Sequence, residues 1–220
     1  MERLKIAVLI SGRGSNLQAL IDACAQPDFP AAIALVLSNR PDAFGLARAR
    51  QAGLPTRVID HKAFADRIAF DAELDTAITG SGARLVCLAG FMRLLTASFV
   101  ERWRDRMINI HPSLLPAFPG LHTHERAIAA GCRFSGCTVH FVRSEMDAGP
   151  IIVQAAVPTH PDDDAERLAA RILQAEHRIY PMAVRLIAEG RVHVELVDGA
   201  ERAVVSGAAA PRATLFNPDA

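Results

Sequence analysis

The stretch "KIAVLISGRGSNLQAL", Lys5–Leu20, decides the fold. Apart from its leading lysine, Lys5–Ile10 is wholly apolar and lacks the alternation of a strand with one wet face. "SGRGSN" then breaks the run, and an amphipathic segment opens at about Asn16. A buried strand, a glycine turn and a helix form the first unit of a parallel sheet covered on both faces. Gly12 and Gly14 permit a tight turn, and Ser15 or Asn16 can cap the helix, leaving backbone N–H groups suited to one phosphate. A dinucleotide fingerprint requires glycine where Leu17 stands, and a Walker loop requires Gly-Lys-Ser/Thr. NAD and ATP are therefore disfavoured, a phosphomonoester is not, and a capped turn with no ligand accounts for this motif alone about as well.

The alternation continues outward. Ala31–Ser38 precedes "AFGLARARQAG", Thr56–Ile59 precedes "ADRIAFDAELDTAI", Arg84–Ala89 precedes "TASFVERW", and Met107–Ile110 closes the series. Gly53 and Gly82 stand where helices end. The predicted class is α/β, a doubly wound, mainly parallel sheet with helices on both faces. In the C-terminal half "GCTVHFV" and "IIVQAAVP", separated by "RSEMDAG", predict an antiparallel strand pair at the far side of the sheet. From about Asp164 to Glu189, Leu168, Ile172, Ala175, Ile179, Ala183 and Leu186 recur at helical spacing, which predicts a long helix with a core-facing stripe and a kink at Pro181. Val192–Val197 reads as a last strand. With no repeat and no linker, residues 1–206 read as a single domain and 207–220, mixing Ala, Pro and polar residues, as a flexible tail.

Composition bounds the function. The 220 residues are half apolar, enough for one large domain, and 24 Lys plus Arg balance 24 Asp plus Glu. No overall field is available to hold nucleic acid or an anionic membrane, so any anion is bound locally. The longest apolar runs, "IAVLI" and "AAIALVL", fall far short of the roughly 20 residues of a spanning helix. Cys24, Cys87, Cys132 and Cys137 include no CxxC, which suits reduced, buried thiols in a cytoplasm rather than a disulfide framework.

The candidate chemistry lies in "NIHPSLLP", Asn109–Pro116. Side chains two apart on a strand share a face, so Asn109 and His111 project together past the strand end. Taken alone, a turn in which both bond nearby backbone explains this stretch better. "MDAGPI" puts Asp147 on the loop between the two later strands, where an acid is usually only solvated. If that loop folds over the carboxyl ends of the parallel strands, Asp147 meets Asn109 and His111 at the crevice where open α/β sheets bind ligands. An amide, an imidazole and a carboxylate form a coherent acyl-transfer set: an oxyanion donor, a proton carrier and a group that tunes the carrier. His122 and His124 read as caps or surface groups rather than a metal site, and no metal is predicted. His140 reads as a buried strand histidine supporting the site, while His61, His160 and His193 have no chemical context.

Together "ISGRGSNLQALID", "SNRPDAFGLARARQAG", "LAGFMRLL", "INIHPSLLPAFPGLHTH", "GCTVHFV", "MDAGPIIVQ" and "QAEHRIYP" resemble the phosphoribosylglycinamide formyltransferases, folate-dependent enzymes of purine biosynthesis, in order over roughly residues 4 to 190. The resemblance implies attack by the amine of glycinamide ribonucleotide on the formyl group of 10-formyltetrahydrofolate, the formyl-donor co-substrate. It implies that Asn109 binds the tetrahedral oxyanion, His111 stabilises it and passes a proton, and Asp147 orients His111. It also implies that Gly14, Ser15 and Asn16 hold the phosphate and that Glu176 accepts from ribose hydroxyls. The folate is implied in a cleft near Met92, Arg93, Leu95, Val100 and Val142, its polar edge meeting backbone of Arg93, Leu95 and the loop Arg143, Ser144, Glu145, Met146 and Asp147. For the apolar members of that cleft, plain core packing is the alternative. Partners are thus two small molecules, with no nucleic acid or membrane, and a monomer or homodimer.

Three positions depart from the family pattern. Arg13 stands where some relatives carry Asn, Ser144 where some carry an acid, and Leu173 where Lys or Gln occurs; these bear on affinity rather than chemistry. Methionyl-tRNA formyltransferase and formyltetrahydrofolate hydrolase share parts of the pattern but carry an additional domain for which the given chain has no counterpart. A non-catalytic folate-binding or sugar-phosphate-binding module is the remaining alternative.

Overall fold

Apolar runs bounded by glycine and polar turns condense into strands in sequence order, and the computed structural model describes residues 2–207, 209 and 215–217. The strands are β1 (Leu4–Ile10), β2 (Ala31–Ser38), β3 (Thr56–Val58), β4 (Leu85–Leu88), β5 (Met107–His111), β6 (Phe134–Phe141) and β7 (Ile151–Pro158). They form one sheet in the order β3-β2-β1-β4-β5-β6-β7. The first five are mutually parallel, whereas β6 runs antiparallel to both β5 and β7. The helices are α1 (Ser15–Cys24), α2 (Gly45–Gln51), α3 (Arg67–Gly80), α4 (Ala97–Arg102), α5 (Thr123–Ala129) and α6 (Ala165–Ala188).

The pleat of β1 explains why helices cover both faces. Ile6, Val8 and Ile10 join a core with Leu17 and Leu20 of α1 and Leu168, Ile172 and Tyr180 of α6. Ala7 and Leu9 point the other way, toward Phe70, Leu74 and Ile78 of α3 and Phe99 and Val100 of α4. Each fully buried Leu or Ile contributes roughly 1.5–3 kcal/mol relative to exposure. The stripe on α6 runs as expected through Leu168, Ile172, Ile179 and Ala183, but it closes on Val184 and Ile187 while Leu186 stays outside both cores. The helix continues through Pro181.

Strand order reverses between β1 and β4, from which the chain proceeds to opposite edges, and this is where a crevice opens. Ser11 N–H donates to Gly90 O at 3.1 Å across it. The turn differs from expectation: the N-cap of α1 is Gly14, in the left-handed region at φ 71°, with no side-chain cap. Neither Ser15 nor Asn16 caps, because the left-handed residue starts the helix directly at Ser15. A Cβ on Gly14 would lie 2.7 Å from Gly45 Cα, and one on Gly45 would lie 3.2 Å from Gly14 Cα and 2.6 Å from Ile10 Cδ1. Gly45 N–H also donates to Gly12 O at 3.0 Å, so the two backbones are sewn together.

Beyond α6, β8 (Val192–Val197) is joined by a strand that the sequence reading did not expect, β9 (Ala200–Val205), in a separate antiparallel pair. Asp198 and Gly199 between them have φ 51° and 77°, the double positive φ that a two-residue hairpin turn of this hand requires. Val192, Val194, Ala203 and Val205 pack against the α6 core. The expected tail, 207–220, falls largely outside the described residues; within it Asn217 Nδ2 donates to Arg133 O and, at 3.0 Å, to Thr159 O.

Candidate active site

Asn109 and His111 leave the end of β5 on one face, and the loop after β6 folds back to bring Asp147 to them. His111 Nδ1 lies 3.4 Å from Asp147 Oδ2. The conditional placement of Asp147 is therefore met. Asp147 adopts φ 54°, a left-handed conformation that Asp tolerates better than most side chains, and Oδ2 accepts from Gly120 N–H at 2.8 Å. His111 is buried, and its Nε2 donates to Phe118 O at 3.0 Å. With Nε2 so committed, Nδ1 of the neutral ring is a lone pair facing the carboxylate; a proton gained there is held by Asp147 as a charge-assisted bond.

His140 supports the amide, as expected of a buried strand histidine. It lies directly across from Asn109 in the β5–β6 register. Its Nδ1 donates to Phe141 O at 2.9 Å, leaving Nε2 to accept from Asn109 Nδ2 at 3.4 Å. Burial is the main force holding the pKa of His140 below the usual histidine value, so the ring stays neutral. Its 3.8 Å approach to Asp147 Oδ1 is then not an ion pair. Asn109 is thereby oriented with an N–H available to a developing negative charge.

Two cavities reach this cluster through Asn109 and Asp147, and another adjoins them, sharing Gly90, Met92 and Arg93 with the larger of the two. One of about 540 Å³ is lined by Gly12–Asn16, Asn39, His61 and Gly90 at the β1/β4 crevice, where the first N–H groups of α1 have no side-chain cap. A second, of about 570 Å³, is lined by Asn109, His111 and Asp147 with Phe91, Leu94 and Leu121. The third, of about 320 Å³, is walled by Leu88, Leu95, Val100 and Val142 and by the loop Arg143–Asp147. Of the residues expected at the folate, Arg93, Leu95, Val100, Val142, Arg143, Ser144, Glu145 and Met146 line this third cavity, whereas Met92 lines the first two. A slot with apolar walls at Leu88, Leu95, Val100 and Val142 and a polar rim along the loop suits a flat heterocycle with a polar edge.

Glu176 of α6 reaches the first cavity's wall from below: its Oε2 accepts from Asn16 Nδ2 at 2.7 Å in a buried contact. Asn16 therefore presents its backbone, not its amide nitrogen, to that cavity. Burial pushes the Glu176 carboxyl above the usual glutamate value, and the Asn16 bond opposes the shift. A raised folded pKa means that the acid form stabilises the fold; the contribution is complete below the unfolded value near 4.5 and is lost as pH rises through the folded one. Glu176→Gln, which mimics the protonated acid, is thus expected to raise Tm at pH 7 to 8 by about 2–4 °C, on the scale of ~1 kcal/mol. The gap should close near pH 4 in melts across that range; an equal gap at both ends would rule out titration of Glu176 as its source.

Several lining residues were missed or misplaced from sequence. His61, read as having no chemical context, lines the first cavity, and its Nδ1 lies 3.1 Å from Asn39 Nδ2. Asn39 Oδ1 in turn accepts from Ser11 Oγ at 2.6 Å. His124 is not a surface group: burial lowers its pKa, and it lines the second cavity. His122 is the exposed N-cap residue of α5 without a side-chain cap bond, so it does not cap through its ring. Phe91 and Leu94 had one legible signal, the mostly apolar run "FMRLL" with neither strand nor helix period in a loop, whereas Leu121 had none.

Residues 4–184 match the family model described as formyl transferase. The phosphoribosylglycinamide formyltransferase of Escherichia coli is 48% identical over 189 residues, covering 86% of this chain and 89% of its own length. That of Haemophilus influenzae is 46% identical over 191 residues, covering 87% and 90%. The trifunctional purine biosynthetic protein adenosine-3 of Drosophila melanogaster is 54% identical over 190 residues, and the chain spans only 14% of that protein's length. Among solved structures, glycinamide ribonucleotide transformylase 1 from Symbiobacterium toebii aligns with a TM-score of 0.88 at 49% identity, over 92% of this chain and 94% of that one. Since the family match runs from β1 into the last turns of α6 and encloses Asn109, His111 and Asp147, the chain belongs to the formyl transferase family.

Proposed function

We propose that this protein transfers the formyl group of 10-formyltetrahydrofolate to the amine of glycinamide ribonucleotide, in the cytoplasm, as a step of de novo purine biosynthesis. The observation that carries the reading is the convergence of Asn109, His111 and Asp147 on one cavity that adjoins both the cavity at the uncapped start of α1 and the slot beneath the loop Arg143–Asp147. The relatives' names support the same activity. Four unpaired cysteines support the location.

In this mechanism Gly14, Ser15 and Asn16 hold the phosphate through backbone N–H groups, and Glu176 accepts from the ribose hydroxyls. The slot bounded by Leu95, Val100, Val142 and the loop Arg143–Met146 takes the pterin end of the formyl donor, with Met92 and Arg93 at its entrance. The amine nitrogen bonds to the formyl carbon, and the carbonyl electron pair moves onto oxygen. Asn109 Nδ2–H donates to that oxyanion, and His111 beside it stabilises the charge and passes a proton by releasing its Nε2–H from Phe118 O. The amine loses a proton toward Asp147, and as the carbon–N10 bond breaks N10 takes one, giving formylglycinamide ribonucleotide and tetrahydrofolate. The two proton transfers balance, so no metal is required.

The test is deformylation of the donor by purified protein with and without glycinamide ribonucleotide. Turnover that requires the ribonucleotide and yields its formylated product supports the transferase; turnover without it supports hydrolysis, and donor binding with no turnover supports a binding module. Glu176→Ala is expected to raise KM for the ribonucleotide by about 10- to 100-fold, the cost of one or two hydrogen bonds to a charged acceptor. An unchanged KM would remove Glu176 from the ribose.

A further inference from the structure

The β8–β9 hairpin lies beyond residue 184, where the family match ends, yet it delivers a carboxylate to the root of the loop that carries Asp147. Glu201 Oε2 accepts from Arg143 Nε at 2.7 Å, and Oε1 accepts from Arg104. Arg143 also donates from Nη2 to Asp105 Oδ1 at 2.7 Å and from Nη1 to Val142 O at 3.1 Å. All three guanidinium nitrogens are therefore engaged within the protein, so the side chain acts on the slot mechanically rather than as a ligand donor. Arg143 is 9% exposed at its side chain, against 32% for Glu201 and 46% for Asp105, so Glu201 is its drier anionic partner.

We propose that Glu201 is a positioning residue for the formyl-donor slot: by neutralising Arg143 it fixes the root of the loop 143–149, and through that loop the wall Ser144–Met146 and Asp147. Removing Glu201 leaves a buried guanidinium with one half-wet partner, and the least costly response is for Arg143 to turn toward solvent and take the loop with it. The mutual bond holds the Glu201 carboxyl below its usual value, so the pair stays charged over the working range. The identity of the ligand here rests on the function proposed above; the mechanical link between hairpin and loop does not.

The experiment compares wild type, Glu201→Ala and Arg202→Ala, the last an exposed neighbour on the same strand. Glu201→Ala is expected to raise KM for the formyl donor about tenfold while KM for the ribonucleotide moves by less than about twofold, the scale of one weakened polar network. Amide hydrogen exchange at residues 144–149 should accelerate in Glu201→Ala and not in Arg202→Ala. Faster exchange confined to 192–205 with both KM values unchanged would reduce Glu201 to a hairpin anchor and overturn the proposal. If Glu201→Ala does not fold, Glu201→Gln, which keeps the shape and loses the charge, is read the same way. Absence of turnover in wild type would sink the proposed function, while the exchange comparison would still decide the link.

Discussion

His111→Ala is expected to lower kcat by about 10²–10⁴-fold, the range over which one positioned proton carrier acts. The ring sits between two fixed partners, Phe118 O at 3.0 Å on Nε2 and Asp147 Oδ2 at 3.4 Å on Nδ1. Alanine removes the imidazole that the proposed mechanism uses to pass a proton at the oxyanion. The phosphate cradle proposed at Gly14–Asn16 and the proposed ribose acceptor Glu176 belong to another wall, so ribonucleotide affinity should change by no more than about threefold, as expected when the lost interaction is made mainly in the transition state. Single-turnover kinetics paired with calorimetric titration of the ribonucleotide separates the two. Wild-type turnover in this variant would take His111 out of the mechanism, and an equal loss in affinity would recast it as a binding residue.

Gly149→Ala should be the most damaging small substitution at the site. A Cβ there would lie 1.8 Å from Phe141 O and 2.8 Å from Phe141 C. Both contacts are backbone, and Phe141 N–H is itself bonded to Pro150 O at 2.9 Å, so neither strand end can yield alone. The expected loss is about 3 kcal/mol or more, the severe end for overpacking, which lowers Tm by roughly 6–12 °C in a chain of this size. Asp147 is two residues away, so the protein that still folds should also turn over more slowly. Gly80→Ala, at a helical position with open space around it, is the matched control and should be neutral or slightly stabilising. A Gly149 variant as stable as that control would show that the loop base can reorganise freely.

The sheet was legible because its signal is local. Lys5–Ile10, Ala31–Ser38 and Met107–Ile110 each announce a strand by composition, and the glycine turn after Ile10 announces parallel winding. The triad was half legible: the two-residue spacing of Asn109 and His111 fixes their shared face, but bringing Asp147 to them depends on contacts made across the fold. Two misses were local and avoidable. "VDGA" between alternating segments is a hairpin signal, and it marks β9, the strand that carries Glu201. The helix cap was assigned to Ser15 or Asn16 by residue preference, whereas Gly14 takes the left-handed role that only its backbone makes cheap. The Ser11–Asn39–His61 chain was not legible, because it joins the ends of three chain segments that only tertiary packing brings together.

The seam between Gly14 and Gly45 carries a consequence for how such a site changes over generations. Most packed pairs can drift reciprocally: one residue grows, its neighbour shrinks, and the total volume is kept. Here each residue's missing side chain would strike the other's main chain, at 2.7 Å in one direction and 3.2 Å in the other. Neither has anything left to give up, so no substitution at one position makes room at the other. The proposed phosphate cradle is thus closed to compensated exchange at its hinge, and variation in ligand preference has to come from residues around it, such as Arg13, which lines the same cavity.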